Sequence, residues 1–568
     1  MAKNKHPKGL YILFFTEMWE RFGYYLMLGI FTLYMIAPET AKFAGLGMSK
    51  MEAADIYGTY LALVYLTPFF GGLIADRFIG YRKSIYIGGI LMAAGYIGLS
   101  IPDSMLTFYI SLLLIILGNG MFKPNVSVLL GKLYEKPEYE HLKDSGYNIF
   151  YMGINIGAFV CNFVAAWLRL TYGWGWAFAA AGAGMLIGVV WFAIGNWRVP
   201  EIKEADKISP SKEGDFPLSK IFTVLFLPAI AAALVGWMIP NNIFGSDSND
   251  AFIFFTLPVL FFFFNTWRTA AKEEKAPIAA LLSIFGVVII FWAVFHQNGS
   301  ALTYWAKNNT NRELGPKMEK VINSIASTEE VSTAPREKQL VGLHGENMGT
   351  EAGPSYYFDN YHNEFPAGNL TEKPADLTDA EWENVKESAG EHGKLVLWPT
   401  ELQASINPFF VIVLTPLVVL FFNFLGRRKK EPSTPGKIAL GMLISALSWL
   451  VMVAAAFVSG NGAEKASVLW LFGVYGVITL GELCLSPMGL SLVSKLAPKR
   501  IAALMMGGWF LATAIGNKLA GVLSGMWDLF EKKSNFFLTN AVLTAAAFII
   551  ILLLLPWLNR VYKEHMKI

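Results

Sequence analysis

The sequence predicts an all-α polytopic membrane protein of about fourteen transmembrane helices, and three observations carry that prediction. The chain is apolar: 54% of its 568 residues are hydrophobic and only 16% are charged, against roughly 25% charged in an ordinary soluble domain. Its apolar residues fall in runs close to the roughly 20 needed to cross a bilayer. Basic residues gather in alternate short loops, the asymmetry that sets topology.

In chain order the apolar runs lie at about 10–36, 52–74, 84–101, 105–131, 147–168, 174–197, 217–239, 250–267, 277–297, 402–425, 437–459, 466–492, 500–527 and 534–558. The opening decapeptide MAKNKHPKGL is basic but lacks a short apolar core followed by small residues. It does not read as a removable signal peptide, so the first span is expected to stay. Lys3, Lys5 and Lys8 precede span 1; Arg77, Arg82 and Lys83 follow span 2. Lys132, Lys136 and Lys143 follow span 4, Arg427 to Lys430 follow span 10, and Lys495, Lys499 and Arg500 follow span 12. The loop PNNIFGSDSND (240–250) has no Lys or Arg. Both termini are therefore expected in the cytoplasm, in a multi-pass protein of the cell membrane. The net charge of +3 serves topology and does not point to nucleic acid. Cys161 and Cys484, the two cysteines, lie within spans and imply no disulfide framework.

Two segments share a pattern at an offset of 363: GNGMFKPNVSVLLGKL (118–133) and GELCLSPMGLSLVSKL (481–496). Gly118 aligns with Gly481, Pro124 with Pro487, Leu129 with Leu492, and Lys132-Leu133 with Lys495-Leu496. Parallel repeats of this kind suit two six-helix halves with a site between them. Residues 1–200 read as the first bundle and 201–272 as linkers around an extra transmembrane hairpin. Residues 273–298 read as the first helix of the second bundle, 299–400 as an extracytoplasmic insert, and 401–568 as the rest of that bundle.

The insert is polar, with Gly, Pro, Asn and Glu throughout. TDAE (378–381) has capping-box form, and Tyr356, Tyr357, Phe358, Tyr361 and Trp382 argue for packing. A small folded cap is expected, with a mobile loop as the alternative. Sequons stand at Asn308 and Asn369.

Span 1 carries TEMWERFGYY (16–25). On a helix, Glu17, Glu20, Arg21, Tyr24 and Tyr25 share one face, and Glu17 precedes Arg21 by one turn. Three charges at the bilayer centre cost roughly 8–10 kcal/mol, which the apolar residues of one helix barely offset. The face must look into the protein or a water-filled cavity. Two readings stand: an ion pair that locks helices, or a substrate and proton site. The spare acid favours the second.

Lys123 lies mid-span 4 and Glu482 in span 12, where the repeat sets Glu482 opposite Asn119. Lys123 and Glu482 are expected at similar depth on opposite halves, as an inter-bundle gate that forms in one conformation and opens in another. Snorkelling of Lys123 is the alternative. His296, the histidine within a span, is either a buried hydrogen-bonding group or a proton carrier. No metal-spaced Cys/His cluster, Walker loop or nucleophile elbow occurs. No enzyme activity, metal or cofactor is expected.

TEMWERFGYY resembles the E-x-x-E-R-F-x-Y-Y motif of the proton-dependent oligopeptide transporter (POT/PTR) family, within the major facilitator superfamily. GGLIADRFIGYRK (71–83), FKPNVSVL (122–129), FYMGINIG (150–157), INPFF (406–410), GELCLSP (481–487) and MMGGWFLATAIGN (505–517) are similar to other signatures of that family. The resemblance covers both halves. It implies the major facilitator fold, two six-helix bundles, with the extra two-helix hairpin of bacterial members. It also implies import of di- and tripeptides driven by protons, H+ being the coupling ion, and a monomer in membrane lipid.

The family roles carry over to matching positions. Glu17 and Glu20 would couple protonation to Arg21; Arg21 and Lys123 would attract the peptide carboxylate. Glu482, with Asn155 and Asn407, would hold the amino group, and Glu482 would also take part in proton coupling. Tyr24, Tyr25 and Tyr65 would line the backbone site, and Trp292 and Trp509 the side-chain pockets. Two departures stand out. Relatives often pair an Arg seven residues beyond the motif Arg with an acid in the seventh core helix; this chain has Leu28 and His296. The outer gate is therefore expected to close without that bridge, with His296 left to respond to pH alone. Two further readings remain open: a same-fold carrier of another small anion or metabolite, and a transporter-like sensor whose insert binds a partner.

Overall fold

The computed structural model describes residues 5–37, 43–101, 104–206, 222–332, 338–341, 347–351, 356–358, 364–366, 394–462, 464–498 and 501–566. Lys3, the linker from 207 on, Tyr361, Asn369, 378–381, Trp382, Lys499 and Arg500 lie outside the described residues.

The first six membrane helices are α1 (Lys8–Ile36), α2 (Lys50–Ile74), α3 (Tyr81–Leu99), α4 (Met105–Leu133), α5 (Lys143–Tyr172) and α6 (Trp174–Arg198). A short α7 (Pro200–Ala205) leads to the linker. The hairpin is α8 (Leu227–Trp237), entered through a wider turn at Phe222–Phe226, and α9 (Asp247–Arg268). Then come α10 (Lys272–Phe295), α11 (Ala301–Asn308) and α12 (Pro316–Ile325). The last five are α13 (Ile406–Arg427), α14 (Thr434–Val458), α15 (Leu469–Leu496), α16 (Ala502–Gly525) and α17 (Lys533–Met566). Ten of the described helices are long and apolar enough to cross a membrane. Adding α1, α3, α8 and α16 gives about fourteen, as composition requires.

Local sequence sets several helix starts. Ser49 caps α2 in a reciprocal box with Glu52, and Ser104, Ser246 and Ser433 cap α4, α9 and α14. Gly173 turns the chain between α5 and α6 at φ 98°, a conformation costly for any residue with a Cβ.

The repeat has a packing counterpart. Helices α3 and α4 cross at Gly88 and Gly118, where a Cβ on either would meet the other's carbonyl oxygen at 2.6 Å. Helices α14 and α15 cross at Gly441 and Gly481 with the same closeness, 2.7 Å from a Cβ on Gly441 to the Gly481 oxygen. Pro124 and Pro487 each stand inside the helix beyond the crossing, where each removes one backbone donor.

The hairpin lies across the seam between the two halves. Phe226 packs on Phe69 and Phe70 of α2, while Phe263 and Leu225 close over Leu504, Gly507 and Gly508 toward α16. Both described chain ends fall on one side of the helix array, the terminus side; the insert occupies the other, the insert side.

Helical packing runs on past the point where the sequence turns polar. His296–Gly299 form a tight turn, and Ala301 to Ala306 of α11 are buried. The insert's described part is folded. Strand β1 (Thr310–Asn311) pairs in parallel with β8 (Ala466–Ser467), and β2 (Glu329–Ser332) antiparallel with β7 (Lys394–Leu397). Two more hairpins follow, β3 (Lys338–Val341) with β4 (Asn347–Glu351) and β5 (Tyr356–Phe358) with β6 (Glu364–Pro366). Ile322 of α12 packs with Ala166 of α5 and Leu402, which fastens the insert to the first bundle. Arg312 pairs with Glu329 at 2.6 Å. Burial pushes the Glu329 carboxyl up, but the guanidiniums of Arg312 and Arg169 outweigh it and hold it down at about 2.

Candidate functional site

The charged face of α1 is buried, with Glu17, Glu20 and Arg21 at 2%, 0% and 3% exposure. Arg21 chelates Glu20 through two nitrogens and sits 3.3 Å from Glu17 Oε1. The Asn119 amide of α4 donates to Glu20 Oε1 at 3.4 Å. Glu17 Oε2 is buried without a hydrogen bond in the protein, an exception that calls for a reason. The Arg21 guanidinium lies 4.9 Å from the Tyr24 ring centroid, and Tyr24 meets Tyr25 edge to face.

Lys123 is within electrostatic reach of Glu17, Glu20 and Arg21. Its ammonium does not snorkel out; it rests over the Tyr65 ring at 4.3 Å. The four charges of this cluster cancel when all are ionised.

The second half answers with one acid. Glu482 of α15 accepts from the Asn407 amide of α13 at 3.1 Å, and that amide also donates to Thr479 at 2.8 Å. Glu482 lies within electrostatic reach of Tyr25 and Tyr65 on the first half. Among the described residues, no ion pair joins Lys123 to Glu482; Lys123 keeps its tyrosine and Glu482 its amide. Asn155 is not brought to Glu482 by a hydrogen bond; its amide donates to the Tyr151 carbonyl.

Aromatics join the two walls. Trp292 and His296 of the second half stack at 5.0 Å, and Tyr65 stands 6.4 Å and 5.9 Å from them. Trp509 is buried against Phe285 and over Gly489. Trp292 Nε1 and His296 Nδ1 are buried without partners in the protein.

Polar contacts bridge the bundles on the insert side. Thr32 of α1 donates to the Gly299 carbonyl at 2.7 Å. Asn162 of α5 donates to Ser405 at 3.0 Å. Arg169 forks onto Glu401 at 2.7 and 3.0 Å, and Asp55 of α2 pairs with Lys518 of α16. No bridge at Leu28 and His296 takes part among the described residues. On the terminus side the halves stay in touch where Phe69 lies over Gly507.

Three groups escaped the sequence reading. Tyr151, inside FYMGINIG, lies within electrostatic reach of Glu482, Tyr25 and Tyr65. Asp55 and Lys518 stand inside the apolar runs 52–74 and 500–527, so the rule that flagged Lys123 applied to them as well.

Two repeated bundles that meet at a charged centre, clasped by polar contacts on one side, define a membrane transporter. The chain belongs to the POT family, whose profile matches residues 82–326 and 389–543. It is 30% identical to the uncharacterized transporter YclF of Bacillus subtilis, over 98% of this chain and 95% of that one. It is 28% identical to the di-/tripeptide transporter of Lactococcus lactis subsp. cremoris, over 97% and 96%. Dipeptide and tripeptide permease A of Escherichia coli is also 28% identical, over 99% and 94%. Among solved structures, the peptide transporter POT in complex with sulfate superposes with TM-score 0.73 at 28% identity, covering 99% and 97%. A POT family transporter in complex with 5-aminolevulinic acid gives 0.72 at 26%, covering 98% and 97%.

Proposed function

We propose that this protein is a proton-coupled symporter that imports di- and tripeptides by alternating access. The observation that carries the reading is the pair of opposed walls: Arg21 and Lys123 on one bundle, Glu482 on the other. A peptide zwitterion needs one cationic and one anionic wall, with apolar room between for variable side chains. Tyr25, Tyr65, Tyr151 and Trp292 supply that room. The names of the Lactococcus and Escherichia relatives point to the same substrates.

Coupling follows from charge balance. Ionised, the Glu17–Glu20–Arg21–Lys123 cluster is neutral and Arg21 is occupied. A proton on either acid leaves the cluster positive and frees part of the guanidinium for a substrate carboxylate. The unpartnered Glu17 oxygen is an acceptor ready for that proton. A proton moving inward yields about 2.3 kcal/mol per 100 mV. With the termini in the cytoplasm, the insert-side contacts close the outer gate.

Labelled dialanine uptake into liposomes, with and without an inward proton gradient, tests the proposal. Gradient-driven uptake is expected in wild type and lost in Glu20→Gln, with exchange retained. Absence of dialanine uptake by folded wild type would sink it. The 5-aminolevulinic acid complex of a relative favours a second reading, a different small zwitterion with the same two end groups. That ligand belongs in the same assay.

A further inference from the structure

We infer that Ser248, at the insert-side end of the extra hairpin, is a positioning residue that locks the Asp55–Lys518 ion pair and so steadies the state closed on that side. The inference rests on the alternating-access reading.

Lys518 is 2% exposed on α16, with an ammonium that has three protons to place. One goes to Asp55 of the first bundle, one to Thr59 Oγ1 at 2.7 Å, and one to Ser248 Oγ at 2.6 Å. The Ser248 hydroxyl in turn donates a hydrogen bond to the Asp55 carboxylate, 2.6 Å from both oxygens. The Thr59 hydroxyl donates to the Asp55 carbonyl and is free to accept. The ammonium is thus fully satisfied only when α2, α16 and α9 meet.

Opening on the insert side must pull Lys518 away from Asp55 and Thr59. The hairpin straddles the same seam lower down, with Phe226 on α2 and Phe263 beside Gly508 of α16. It touches both moving parts, and Ser248 is its hydrogen-bonding group at the clasp. A charge-assisted hydrogen bond at a buried ammonium is strong enough to shift a two-state population. The extra hairpin then belongs to the transport cycle.

The test is a distance measurement on the full-length protein in nanodiscs without substrate. Cys161 and Cys484 are replaced by alanine, and nitroxide labels are placed at Leu106→Cys and Val458→Cys. Both positions are exposed on the insert side, one on each bundle. Wild type is expected to show mainly the short distance. Asp55→Asn and Ser248→Ala should each raise the long-distance fraction relative to the short, by about tenfold, and Ser248→Thr should restore the wild-type ratio. An unchanged distribution in Ser248→Ala would overturn the inference, whether or not Asp55→Asn shifts it. Rescue by the threonine hydroxyl separates a lost bond from a misfolded hairpin. Because no peptide is present, failed dialanine uptake leaves this outcome readable and falls on the symport reading alone.

Discussion

The two halves share a frame and differ in what they aim at the centre. Both cross paired helices at glycines, Gly88 on Gly118 and Gly441 on Gly481, and both carry a proline beyond the crossing. At the repeat offset, however, Asn119 faces Glu482 and Lys123 faces Ser486. The first half thus holds a balanced cluster of four ionisable groups, with its amide, Asn119, donating to Glu20. The second half keeps the acid–amide contact but puts the acid at the repeat position of Asn119, with Asn407 donating to Glu482 and, among the described residues, no ion pair to a cation. Backbone geometry tolerates little change where helices touch, while side chains facing the gap are free to diverge. On the symport proposal, the difference gives proton handling to the first half and recognition of a substrate cation to the second.

The most severe way to break that contrast is to remove the base shared by two buried acids. Arg21→Met leaves Glu17 and Glu20 without their partner and is expected to cost about 3–5 kcal/mol of stability. Thermal unfolding in detergent measures it, and uptake is lost. The double change Glu20→Gln, Arg21→Met leaves one acid, Glu17, balanced by one base, Lys123, and is expected to recover most of the stability but none of the uptake. Equal destabilisation in the single and double variants would mean that the four groups do not act as a unit.

Glu482→Gln is a milder break. The side chain is half-buried and held by one amide, so its neutral analogue keeps the shape and loses only the charge. The KM for dialanine is expected to rise about tenfold or more, the worth of a charge-assisted hydrogen bond, with thermal stability close to wild type. An acetylated dipeptide, which lacks the amino cation, should bind wild type and variant alike. A loss of coupling with unchanged KM would instead move proton handling into the second half.

The sequence carried most of this architecture because membrane insertion leaves few options: long apolar runs must be helices, and charges inside them must face inward. The α1 cluster, Lys123 and Glu482 were all visible on that logic. Asp55 and Lys518 obey the same rule, but each sits toward a helix end, where a charge also reads as an interfacial anchor. Their meeting with Ser248, 193 and 270 residues away in the chain, depends on how the hairpin lies across the seam. No local pattern encodes that. The polar insert hid the buried α11 for a related reason, since ALTYWA is short and bounded by Gly299 and Asn308. The docking of α12 on Ala166 likewise needed tertiary contact to be seen.

His296 gives the finest test of the contrast, since it is a titratable group in the turn that ends α10 and stands beside Trp292 and Tyr65. Its ring lies nearly parallel to Trp292, with an interplanar angle of 19°, and meets Phe295 edge to face. Around it stand Tyr65, Lys123 and Asn517; no carboxylate is among these neighbours. An imidazolium there would face a cation and gain no counter-charge. The geometry therefore gives the ring a stacking role against Trp292, which on the symport proposal lines a side-chain pocket. His296→Ala is expected to weaken uptake of aromatic dipeptides by about threefold, in the range of one lost ring contact, while dialanine changes less. The pH midpoint of driven uptake should stay where it is in wild type. A displaced midpoint would return His296 to the proton path and leave the second half with a proton site of its own.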